Sequence, residues 1–419
     1  PERLVALGRA RLDRTDLDGA RAAFTEATLR DPGLAAAWRG LAEVDLAAHE
    51  PAAAARALAR IATQDAGTLR LRAEVAIERG HPQAAWALAA RALRLAPGEA
   101  EVTATAARAA YRAGRLPTAR RLYAATVRQA PWHEAANLRL GSGFSPDGRP
   151  PHFGSQEERR RFDAATAAWR RDDLETALDG YADLVRGAPT AARYRLGLGL
   201  VLRERGWREA RGWGEATDEE ARGDGVPVPG EDQLVPGFAR LPAWQQGVLR
   251  RSLAPAARWL PRLLAAGARH EVLLLEAGLT DAPERAELVD QLTFDGRWYA
   301  HLRGVGGLVA ATGEEKLRWA ARHEFDTFAH EFAHQLLTYG LTDALRSEVL
   351  ALYVDACGRG ACLDSYAASN VDEYFAQGFE AWISARKRPG VRHTASHTRA
   401  ELARRDPPLH DLLSRVLAP

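Results

Sequence analysis

The feature that most constrains the fold of this chain is a period of 34 residues in its first half. Residues 1–34 laid over 35–68 pair Leu7 with Leu41, Gly8 with Ala42, Ala20 with Ala54 and Phe24 with Leu58. The internal offsets of Ala20, Phe24, Ala27 and Pro32 return in Ala85, Ala89, Ala92 and Pro97, and again in Ala119, Tyr123 and Pro131. Small residues stand where two helices would touch, a large apolar residue follows one turn later, and Pro closes the second helix. One such helix pair has an apolar face that only a neighbouring pair can cover, so the units are expected to stack side by side.

These residue types at these offsets resemble the tetratricopeptide repeat, a helix-turn-helix unit. The pattern gives about four units over residues 1–140. After a Gly/Pro-rich linker at 141–156 it gives about two more over 157–222, marked by Ala177, Tyr181 and Pro189 and then by Tyr194 and Ala210. The resemblance implies an α-solenoid whose groove binds a peptide or partner protein; a spacer or brace is the plain alternative. A second Gly/Pro-rich linker covers 223–240, and the Arg222-Gly223-Asp224 triplet beside it reads as incidental.

Charge narrows the partners. The 57 basic and 55 acidic residues leave a formal net charge of +2, with Arg interleaved with Asp and Glu along the chain. This is a pattern of solvated helix faces and points away from nucleic acid. Lys occurs only at 316 and 387; together with abundant Ala, that suggests the codon usage of a GC-rich bacterial genome. No run approaches the roughly 18 apolar residues of a membrane span, so the chain is expected to be soluble without a transmembrane segment. Met is absent, even at position 1; the expectation is that a segment precedes Pro1, which leaves a signal peptide open. Cys357 and Cys362 stand five apart across a Gly-bearing turn, and a disulfide and two free thiols are both open. The disulfide reading leans towards a secreted or periplasmic location.

Residues 241–419 follow a different pattern. Residues 246–267 look helical, 271–279 is an apolar run compatible with a buried strand, and 303–312 looks like a Gly-punctuated strand. A long helix from Glu315 to Tyr339, stopped by Gly340, is expected to follow. It carries His330-Glu331-x-x-His334. Four-residue spacing puts both imidazoles on one helix face, as two nitrogen ligands of a tetrahedral zinc require. Glu331 falls where it can take a proton from a metal-activated water and pass it to a leaving amine. The plain alternative is an amphipathic helix with surface histidines, but Phe328, Phe332, Ala333, Leu336 and Leu337 around the pair suggest a cleft. The longer motif HExxHxxGxxH is ruled out because Leu337 and Gly340 occupy its Gly and His positions.

A second block, "SYAASNVDEYFAQGFEAW" at 365–382, completes the pattern. The two blocks together resemble the catalytic domain of anthrax toxin lethal factor and its relatives, gluzincin zinc metalloendopeptidases. The resemblance implies an α+β zincin-type domain with one zinc per chain held by His330, His334 and Glu373. It places Tyr366 near the reacting carbonyl, and Asn370 also matches. Among nearby carboxylates, Asp372 would point about 100° away from Glu373 on a helix, and Glu380 lies nearly two turns further on. Phe375, Phe379 and Trp382 give the Glu373 helix an apolar side to dock on the first. Where relatives have a second Glu, this chain has Gln377, a position suited to a hydrogen bond with a ligand histidine but without a carboxylate's effect on basicity. Relatives run substrate along an edge strand; 304–312 is either that edge or a strand inside the sheet.

The leading expectation is a mainly α protein: a tetratricopeptide-like solenoid followed by a zinc-dependent endopeptidase with Glu331 as general base. A scaffold with an inactive, structural-zinc domain is the alternative, and metal-assisted hydrolysis of a non-peptide amide or ester shares the same chemistry.

Overall fold

The computed structural model describes residues 1–144, 153–209, 225–293, 296–388 and 397–417. Residues 145–152 of the 141–156 linker, Ala210 and the Arg222-Gly223-Asp224 triplet lie outside them. The chain divides into two compact units, residues 1–211 with 278–302, and residues 212–277 with 303–419.

In the first unit the repeats fold as helix pairs: α1 (Glu2–Asp13) with α2 (Leu17–Arg30), α3 (Ala35–Ala47) with α4 (Pro51–Ala59), α5 (Ala66–Glu78) with α6 (Pro82–Leu95), and α7 (Ala100–Arg112) with α8 (Leu116–Gln129). Pro at the start of α4, α6 and α8 suits a position whose N–H needs no partner. Phe24 shows how one unit grips the next: its ring lies so close that a Cβ on Gly8 would stand 2.7 Å from it, and one on Gly40 of the following repeat 2.3 Å. Ion pairs repeat the period. Arg9 pairs with Glu43 and Arg108 with Glu74, each 34 residues away, and Glu43 also takes Arg70 at 2.7 Å.

Beyond the four expected pairs, α9 (Glu134–Gly141) packs on α8 and more extensively on α12 (Ala192–Glu209), far along the chain. Backbones meet there: a Cβ on Gly141 would lie 2.4 Å from Leu196 N, and one on Gly199 2.8 Å from Leu138 N. The fifth predicted pair is α10 (Gln156–Arg170) with α11 (Leu174–Gly187), where Tyr181 faces Gly197 as Phe24 faces Gly40. Residues 278–302 were expected in the C-terminal region but belong to this unit: Arg120 donates to Gly296 O at 3.0 Å and lies over the Trp298 ring.

The second unit holds a three-stranded sheet in the order β1-β3-β2, where β1 is Arg269–Leu273, β2 Gly304–Val305 and β3 Val309–Gly313. β1 runs parallel to β3 and β2 antiparallel to it. The expected 303–312 strand is therefore two strands, its first part at the edge and its second in the centre. β1 ends before the predicted 279 because the Arg303 guanidinium takes the carbonyls of Leu273 and Leu274 at 3.0 and 3.1 Å, away from ladder pairing. The expected helix at 246–267 is interrupted by a 3₁₀ stretch at Ala254–Trp259, next to Pro255 and Pro261, which lack backbone donors.

The long helix expected from Glu315 to Tyr339 is broken. Glu314–Ala321 and Thr327–Gln335 are separate helices; between them His323 has φ 57° and Asp326 caps the second by accepting from Ala329 N at 3.0 Å. A π-helical turn at Leu336–Gly340 then ends at the predicted glycine. Phe328, Phe332, Phe375 and Phe379, all fully buried, join the Thr327–Gln335 helix to Val371–Ile383, with Phe332 and Phe379 edge to face at 5.9 Å. Trp382 faces elsewhere: its indole donates to Ser414 Oγ at 3.1 Å.

Candidate metal centre

His330 and His334 project from one face of the Thr327–Gln335 helix with their Nε2 atoms 3.2 Å apart. The facing helix, Val371–Ile383, is capped by Asn370, whose Oδ1 accepts from Glu373 N at 2.9 Å. That places Glu373 in the first turn, where the helix dipole favours a carboxylate. Glu373 Oε2 lies 3.1 Å from His330 Nε2 and 3.7 Å from His334 Nε2, yet it is buried and aligned with neither for a hydrogen bond. Its other oxygen accepts the Tyr366 hydroxyl at 3.0 Å.

Four ligands about 2.05 Å from a tetrahedral zinc stand about 3.3 Å from one another. The three separations here, 3.2, 3.1 and 3.7 Å, bracket that value. Two imidazole nitrogens and an unsatisfied carboxylate oxygen converge without enough protons to satisfy one another, which is the donor set of a cation site. Among the described residues it is the one group of three or more His, Cys, Asp or Glu side chains so gathered. The electrostatics agree. Burial alone would raise the Glu373 pKa, but His330 and His334 hold the carboxyl well below the usual range. Burial would likewise lower that of His334, and Glu373 and Glu331 push it up instead.

Glu331 lies beside the sheet edge. A Cβ on Gly304 would stand 2.9 Å from its Oε1, and one on Gly306 3.3 Å from its Oε2 and 3.1 Å from His334 Cβ. The two glycines thus leave room for a carboxylate against the edge strand. Asp372 is exposed, and Glu380 is engaged away from the site: it accepts Asp326 N at 2.9 Å and pairs with Lys387. This pair fixes the start of the histidine-bearing helix, and its only signal in the sequence is Lys387 itself, one of two lysines.

The remaining candidate residues have the following surroundings. Tyr366 was expected near the reacting carbonyl; its hydroxyl donates to Glu373 Oε1 at 3.0 Å. Gln377 was expected behind a ligand histidine, but Gln377 Oε1 and His330 Nδ1 are both buried without a hydrogen-bond partner, so that bond is not made. Cys357 and Cys362 are thiols with sulfurs 3.5 Å apart; burial and its neighbour push Cys362 up to about 12. Asn370, which also matches the second block, supports Glu373 as a helix cap.

Among the described residues no helix is long and apolar enough to cross a membrane. No family model matches the chain, and no curated protein matches it. Solved structures match parts of it. A crystal structure of MamA is 20% identical over 33% of this chain and 77% of its own, with a TM-score of 0.28. The Pseudomonas aeruginosa pilF structure is 18% identical over 46% of this chain and 94% of its own, at 0.31. YrrB, described as a TPR protein with an unusual peptide-binding site, is 16% identical over 48% and 90%, at 0.27. The helix pairs of the first unit stand on this chain's own packing, and the His330, His334 and Glu373 cluster on the second unit's.

Proposed function

We propose that the chain is a zinc-dependent endopeptidase whose repeat unit binds substrate or a partner protein. The observation that carries this is the convergence of His330, His334 and Glu373 at ligand spacing with Glu331 held beside them at a glycine-lined sheet edge. Zinc, when bound, supplies a Lewis acid that brings the pKa of water near neutrality and polarises a carbonyl. Glu331 is the proton carrier: it is half-buried, is not needed as a ligand, and would take a proton at its carboxylate and deliver it to the leaving amine. Tyr366 orients Glu373 at rest and, on releasing it, would donate to the developing oxyanion. Gly304–Val305 offers an edge to an extended peptide.

A scaffold with an inactive domain is the second reading, favoured by the unpartnered Gln377 and His330 Nδ1, since zinc enzymes commonly brace that nitrogen. Zinc stoichiometry and cleavage of a diverse peptide library, with Glu331→Gln as control, decide between them. One zinc per chain and cleavage lost in the variant supports the peptidase. Equal cleavage in both proteins refutes the mechanism, and zinc without cleavage supports the scaffold.

A further inference from the structure

Behind Tyr366 stands a buried ionic cluster that contributes no metal ligand. Asp364 Oδ1 accepts the N–H groups of Tyr366 and Ala367, both at 2.8 Å, and so clamps the turn that begins at Tyr366. Its Oδ2 lies 3.2 Å from His397 Nε2, and both side chains are 5% exposed. The other ring nitrogen of His397 is 3.1 Å from Glu401 Oε2. Glu401 is itself fixed from two sides: its N–H goes to the Thr398 hydroxyl cap, and its second oxygen takes Arg405 at 3.2 Å. Burial alone would lower the pKa of His397, but Asp364 and Glu401 push it up to about 9. At neutral pH both ring nitrogens therefore carry protons, and Nε2 donates to Asp364. Nothing in the repeats or the phenylalanine core requires such a cluster here. It connects outward to the turn that delivers the Tyr366 hydroxyl to Glu373 and, through Arg405, to the Cys362 carbonyl at 3.2 Å.

We infer that His397 is a positioning residue for Tyr366, acting through Asp364 to fix the turn from which the hydroxyl reaches the metal-site carboxylate. The catalytic consequence rests on the peptidase reading; the positioning itself does not. Two replacements separate the two ring nitrogens. The amide nitrogen of Gln falls near Nε2 and keeps the bond towards Asp364, whereas that of Asn falls near Nδ1 and keeps only the side towards Glu401.

The test uses the full chain labelled with [¹⁵N]tyrosine. The Tyr366 amide among the nine tyrosines is assigned by its loss in Tyr366→Phe, and its hydrogen exchange is measured at neutral pH with Tyr374 as reference for the same unit. His397→Asn should speed Tyr366 exchange by about tenfold or more, as expected for loss of one charged hydrogen bond, while His397→Gln stays within about threefold of wild type. Equal acceleration in both variants would mark a packing role and overturn the inference, as would wild-type rates in both. If His397→Asn does not fold, Asp364→Ala takes its place: similar acceleration supports the clamp and wild-type exchange refutes it. In a cleavage assay His397→Asn should lower kcat about tenfold, consistent with slight misplacement of a catalytic group, with KM and zinc content unchanged. A wild-type protein that cleaves nothing removes the peptidase reading, and the exchange measurement still decides the positioning.

Discussion

The charge on His397 gives stability a pH dependence of definite sign and size. Its folded-state pKa is raised from 6.5 to about 9, so between those values the folded protein holds a proton that the unfolded chain has released. Stability conferred by the cluster is fully present below pH 6.5, declines as pH rises and is gone above about 9. At about 1.4 kcal/mol per pH unit, the shift amounts to about 3 kcal/mol. The two carboxylates facing His397 are Asp364 and Glu401. Glu401 is lowered to about 2, where burial would raise it but His397 prevails. Its contribution is present above its ordinary 4.5 and lost only as pH falls through about 2, so it stays constant in the alkaline window. The assay is urea unfolding of wild type and His397→Gln from pH 6 to 10, followed by the Tyr374 amide signal. Subtracting the variant cancels titrations common to both. The difference should shrink by about 3 kcal/mol across that range. A flat difference would show that His397 is not held protonated between its carboxylates, and the electrostatic reasoning about the cluster would fail.

Packing in the repeats gives a second prediction: Gly40→Val, whose Cβ would fall 2.3 Å from the Phe24 ring, should destabilise by about 1–3 kcal/mol. Gly98→Ala, with nothing within 4 Å of its Cβ, should leave thermal unfolding nearly unchanged. At the sheet edge, Gly304→Ala puts a methyl 2.9 Å from Glu331 Oε1 and 2.8 Å from Thr327 Cγ2. On the peptidase reading, displacing that carboxylate lowers kcat by about tenfold to 100-fold at unchanged zinc content; loss of zinc instead would show that Gly304 supports the ligands and not the base.

Local chemistry made part of this legible. The 34-residue period predicts helix pairs because Phe24 needs a gap between successive repeats, and Gly8 and Gly40 provide it. The His330 and His334 spacing follows from helix geometry, the choice of Glu373 was implied by the resemblance of the second block, and the structure gathers those three side chains. Remote partners decided what sequence reading missed. Residues 315–339 contain no Pro and no Gly, so nothing local announced the break before Thr327; it is set by Asp326, whose N–H donates to Glu380 Oε1 at 2.9 Å and whose Oδ2 takes Arg251 at 3.2 Å. The early end of β1 depends on Arg303, 30 residues downstream of Leu273. Asp364 and His397 meet across 33 residues with no shared pattern.

Three helix caps explain how such scattered residues reach one place. Asp326 caps the helix of His330 and His334, Asn370 the helix of Glu373, and Thr398 the short helix of Glu401. A cap fixes where the first turn starts and therefore the direction in which each later residue points. Asn370 stands three residues before Glu373, and moving that start by one residue would swing the carboxylate by about 100°, out of reach of both imidazoles. Asp326 does the same for His330, and its own backbone is tied to Glu380 on the opposing helix, so the phases of the two helices are coupled. Glu373 is then held at both ends, its backbone N–H by Asn370 and its Oε1 by Tyr366. Preorganisation of this kind leaves Oε2 buried without a hydrogen bond, facing two Nε2 atoms that meet each other at 3.2 Å. A cation between them would relieve that cost.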